Sequence, residues 1–197
     1  MLYEKQPFYK IPRDLCLIKY RNLPLREYDK GLDEDLCCFP TTSGFYWLKH
    51  EGTRKKFIGD LVSFFNILKL ETFVFMCDEN KPWISKFTSK RTDSKALTKA
   101  LDYFKAGKVR TKFNGGLLVH TFEFTEFLTH FFMLVRCDGG FSYYHFIDDK
   151  NDFVFSLLYS GELNVMTLNK KANKRLHSLL SDTNFSDAGS ENSDRIG

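Results

Sequence analysis

The 197-residue chain contains no apolar run near the ~18 residues a membrane-crossing helix requires, because charges interrupt every candidate stretch. Its five cysteines form no C-x-x-C pair, and two of them, Cys37 and Cys38, are adjacent. That pattern excludes a zinc ribbon and a thioredoxin-like dithiol, and suits reduced, buried thiols in a cytoplasmic protein. The five histidines show neither H-x-x-x-H nor H-E-x-x-H spacing, so no metal ligands are assigned. No G-x-S-x-G elbow is present. Gly115-Gly116 and Gly139-Gly140 precede strand-like runs rather than helices, which excludes a phosphate cradle at a helix start. Residues 1–15 mix Glu4, Lys5, Lys10, Arg13 and Asp14 with two prolines, so no secretory leader is expected. There is no internal repeat, and nothing calls for a cofactor.

Aromatic residues are abundant: 16% of the chain, with 21 phenylalanines. Phe buries a large rigid area without needing a hydrogen-bond partner, so most of these rings belong in a core. Residues 1–50, punctuated by Pro7, Pro12, Pro24 and Pro40, read as an irregular N-terminal wrap with short strand-like runs at Leu15–Tyr20 and Phe45–Leu48. From Thr53 to about Leu70, Phe57, Ile58, Leu61, Val62, Phe65 and Leu68 recur at helical spacing. Glu71–Cys77 is a strand apolar on both faces, hence central. A second helix spans Asp93–Ala106, started by Thr92, Asp93 or Ser94 and ended at Gly107.

Beyond Leu117 the period falls to two. Strands are expected at Leu117–Phe124, Phe131–Cys137, Phe141–Ile147, Phe153–Tyr159 and Glu162–Leu168, with Asp138-Gly139-Gly140 as a hairpin turn. Residues 125–134 also fit a helix, since Phe124, Phe127, Leu128 and Phe131 share its stripe. A last helix covers Lys170–Leu180, and Ser181–Gly197 is polar enough to be disordered. The expected fold is α+β: an antiparallel meander of about five to six strands packed with two to three amphipathic helices. Residues 1–180 form one domain in this reading, and 181–197 a tail.

Candidates for chemistry are few. His120 and His145 lie in aromatic strands and could point to one sheet face, with Glu123, Glu126, Asp148, Asp149 and Asp152 the nearest carboxylates in sequence. Asp148, Asp149 and Asp152 suit a turn, where Asp bonds its own backbone. Cys77 beside Asp78 is poorly placed as a nucleophile, because a neighbouring carboxylate raises a thiol's pKa. No catalytic residue is assigned.

Charge carries the remaining signal. From Lys81 to Lys112 ten Lys/Arg stand against Asp93 and Asp102, a surplus of +8 in a chain whose net charge is +4. An acidic cluster, Asp33, Glu34 and Asp35, lies elsewhere. Such unevenness fits a charge-complementary partner. The expected function is a non-catalytic cytoplasmic protein-binding module, in the manner of an inhibitor or immunity protein that occludes its partner. Its contacts are assigned to Lys86, Lys90, Arg91, Lys95 and Lys99, or to Asp33, Glu34 and Asp35. Single-stranded nucleic acid on the basic segment and an aromatic sheet is the alternative. An enzyme or small-ligand fold with an unrecognised site is the second. No membrane partner is expected, and the oligomeric state is open.

Overall fold

A computed structural model describes residues 7–13, 15, 42–77, 81–138 and 144–189. Eight strands form one antiparallel sheet: β1 (Tyr9–Ile11), β2 (Gly44–His50), β3 (Thr72–Cys77), β4 (Gly116–His120), β5 (Tyr144–Asp148), β6 (Phe153–Leu157), β7 (Leu163–Thr167) and β8 (Phe185–Asp187). Their spatial order is β1-β4-β3-β5-β6-β7-β2-β8. Among the described residues four helices of ten or more residues accompany them: α1 (Phe57–Ile67), α2 (Lys95–Ala106), α3 (Phe124–Cys137) and α4 (Lys170–Leu179). The α+β class is as the sequence implies, with more strands and helices than expected.

Alternation along β3 explains the layering. Phe73 and Phe75 enter a large aromatic core with α1, α2 and α3, while Val74 and Met76 enter a smaller aliphatic cluster with Ile147 and Val154 on the opposite face. Phe73 meets Phe65 at 4.8 Å, Phe124 at 5.0 Å and Phe146 at 5.4 Å between ring centroids. Leu61, Phe65, Phe73 and Phe75 are wholly buried; Leu101 packs against that core while staying half-buried.

Four expectations need correction. Residues 125–134, open between helix and strand in the sequence, are helical, and Phe131–Cys137, expected as a strand, is the end of α3. Phe124, Phe127, Leu128, Phe131, Leu134 and Val135 are all buried, so a helix hides six large side chains where a strand would turn half of them away. Asp138 accordingly ends a helix and cannot open the expected hairpin. The strand at 117–124 stops at His120, and Thr121–Glu123 forms a 3-10 turn leading into α3. Finally, the segment expected to be disordered is structured as far as residue 189. Phe185 is buried against Phe64 and His50, and pins β8 to β2 as an edge strand. One large apolar ring was enough to dock three residues. The rest of that tail, and the strand expected at Leu15–Tyr20 beyond Leu15, lie outside the described residues.

Side-chain caps start α2 and α4. Ser94 Oγ accepts from the Leu97 amide at 3.4 Å, and Asn169 Oδ1 accepts from the Ala172 amide at 2.8 Å. At the end of α2 the left-handed residue is Lys108 (φ 59°), not Gly107. Gly107 is required for space instead, because a Cβ there would collide with the Phe8 ring.

Candidate functional site

Two surface regions concentrate positive charge. The first comes from the window 81–112. Lys86, Lys90, Lys95, Lys99, Lys105, Lys108, Arg110 and Lys112 are all exposed, and none forms a salt bridge with a described carboxylate. Lys95 and Lys99 share the outward ridge of α2, four residues apart, with Asp102 beside them. Lys105, Lys108 and Arg110 gather around a cleft of about 590 Å³ whose apolar walls are Ile84, Leu101 and Val109. Ser89, next to Lys90 in the chain, closes its other side. The loop is tied down: the Val109 amide donates to Phe104 O at 2.8 Å, and Lys10 Nζ donates to Lys108 O at 3.2 Å. Phe87, 76% exposed, stands between Lys86 and Lys90 at the start of the Thr88–Lys90 3-10 turn.

Arg91 is not a free member of this set. Its guanidinium holds Asp93 through two hydrogen bonds, at 3.0 and 2.7 Å, and donates to Cys137 O at 2.6 Å. Those contacts strap the loop onto the end of α3, and the Asp93 carboxylate raises the Arg91 pKa further. Asp33, Glu34 and Asp35 lie outside the described residues. Lys105, Lys108 and Arg110 were visible in the sequence as part of the charge count. Their convergence on an apolar cleft comes from the turn at Gly107-Lys108, which folds the chain back along α2.

The second region was not legible at all. The end of β2, the start of α1, the end of α3 and the β6–β7 turn enclose a cleft of about 430 Å³ carrying Lys49, Arg54 and Arg136. His50 Nε2 is hydrogen-bonded to Asp60 Oδ2 at 2.8 Å, which lowers the Asp60 pKa. Ser160 donates its hydroxyl to Glu162 at 3.0 Å. The His–Asp pair and the Ser–Glu pair are separate, with no hydrogen bond from Ser160 to His50. The arrangement is therefore not that of a nucleophilic triad.

Among the remaining histidine and carboxylate candidates, His120 and Asp148 make local structural contacts. Thr72 pairs with His120 and Met76 with His145, so both histidines do face one side of the sheet. They stand four residues apart along β3, roughly 13 Å, and do not share a site. His120 Nδ1 is 2.9 Å from Thr72 Oγ1. Asp148 is fully buried and accepts from the amides of Lys150, Asp152 and Phe153, as a turn residue should. Burial raises its pKa to about 6 despite those donors. His130 stacks on Tyr103 at 4.4 Å, and burial lowers its pKa. Among the described residues no group of three or more His, Cys, Asp or Glu is arranged to hold a metal ion, and no helix is long and apolar enough to cross a membrane. Comparison with protein-family models, curated proteins and solved structures found no match.

Proposed function

We propose that this chain is a non-catalytic protein-binding module that engages an acidic partner through the basic 81–112 segment. The observation that carries the reading is the apolar cleft rimmed by Lys105, Lys108 and Arg110, in a segment with eight exposed cations that lack described carboxylate partners. An apolar pocket inside a ring of charge is where a partner's anchoring side chain is desolvated, and the ring sets encounter rate and selectivity. Phe87 adds an exposed ring in the same segment. A motif-poor site of this kind suits a protein that occludes its partner, as an inhibitor or immunity protein does.

Nucleic acid is the weaker reading, because the sheet rings it needs are consumed by packing. Phe73, Phe75, Phe146, Phe153 and Phe155 are wholly buried, and the exposed strand rings Tyr9 on β1 and Phe45 on β2 stand toward opposite ends of the sheet, too far apart to make one stacking platform. Affinity capture from the native cell, with nuclease-treated and untreated halves, tests the proposal. One dominant acidic protein in both halves, lost in the Lys105→Glu/Lys108→Glu/Arg110→Glu variant, is the expected result. Capture that vanishes with nuclease treatment would assign the surface to nucleic acid.

A further inference from the structure

We infer that the cleft between β2, α1, α3 and the β6–β7 turn binds a small phosphate monoester bearing a planar ring. Three cations reach it from three separate elements: Lys49 at the end of β2, Arg54 before α1 and Arg136 at the end of α3. All three are exposed, and none forms a salt bridge with a described residue. Of the carboxylates nearby, Glu51 takes the Ser186 hydroxyl and Asp60 takes His50, both outside the lining, and only Glu162, which takes Ser160, lines the cleft. The lining thus presents three cations against the single carboxylate of Glu162, a surplus that a phosphate dianion neutralises.

The remainder of the cleft is aromatic. Phe57 and Phe132 lie 4.9 Å apart at its base, and Arg136 sits over Phe132 at 5.8 Å. Gly161 turns the chain beside these rings at φ +95°, a conformation that favours glycine. That turn leaves Tyr159 74% exposed at the rim, where a flat ligand ring can stack. The volume, about 430 Å³, is in the range of small-molecule sites. His50 is held against Phe57 by Asp60, so the cleft wall is fixed before any ligand arrives.

Phenyl phosphate, inorganic phosphate and phenol serve as probes, titrated in the millimolar range against the full chain and read by NMR shifts. The inference predicts saturable binding of phenyl phosphate, weaker binding of inorganic phosphate and none of phenol. Arg54→Ala and Arg136→Ala should each weaken phenyl phosphate binding about 10-fold, with melting curves unchanged. Tyr159→Ala should weaken phenyl phosphate while sparing inorganic phosphate. Lys99→Ala, on the other basic surface, should change nothing. Absence of saturation with phenyl phosphate overturns the inference. So does binding that survives the Arg54→Ala/Arg136→Ala double variant, or that Lys99→Ala weakens equally.

Discussion

The two basic regions differ in how the chain builds them. Around α2 the cations are contiguous in sequence and stand on the surface of a helix and two loops. In the β2/α1/α3 cleft they come from positions 49, 54 and 136, brought together by elements rooted in the aromatic core. Local charge density creates the first; tertiary packing creates the second. The first should therefore tolerate substitution while changing its electrostatics, and the second should be coupled to stability through its floor.

Substitutions can break or sharpen that contrast. The largest effect is expected at Phe57, a floor residue 3% exposed that contacts His50, Phe132 and Phe185. Phe57→Ala should cost about 3–5 kcal/mol in denaturant melts. A loss below about 1 kcal/mol would mean that the cleft is not anchored in the core. Next is His50→Ala, which removes one hydrogen bond from Asp60 while the Asn184 side chain still bonds it, and should cost about 1 kcal/mol. The pair also fixes a pH response. Its hydrogen bond holds the Asp60 pKa below the ordinary carboxylate value, so its contribution is present above that value and is lost as acidification protonates Asp60. Asp60→Asn should remove that part of the acid sensitivity in pH-dependent melts.

On the other surface Arg91 is the exception. Arg91→Ala removes the strap to Cys137 O and should lower the melting midpoint by about 2–4 °C. Lys95→Ala and Lys99→Ala should shift it by no more than about 1–2 °C, because each cation is exposed and unpaired. Equal losses at Arg91 and Lys99 in thermal melts would erase the distinction between a strut and a rim charge.

The sequence made some of this plain and concealed the rest for physical reasons. The central position of β3 was legible because ETFVFMC is apolar on both faces, and α1 and α2 because their apolar residues keep a helical period. Residues 124–137 misled because Phe serves strand and helix alike; burial against Phe75, at 4.6 Å from Phe127, decides for the helix. β8 was hidden because a lone Phe in polar surroundings gives no period to read. The basic site was legible as a charge surplus, without the cleft that orders three of its members. The second cleft left no local signal, since charges 82 residues apart, at 54 and 136, meet only through packing.

The central claim is that charge around the α2 cleft steers an acidic protein onto this chain. Once the partner is purified, its association rate should be measured across a series of ionic strengths, for the wild type and for the Lys105→Glu/Lys108→Glu/Arg110→Glu variant. The account predicts a wild-type rate that falls steeply with salt. The variant rate should be about 10-fold lower or more at low salt and nearly flat, with dissociation changed less. Superimposable salt dependences for the two proteins would contradict it.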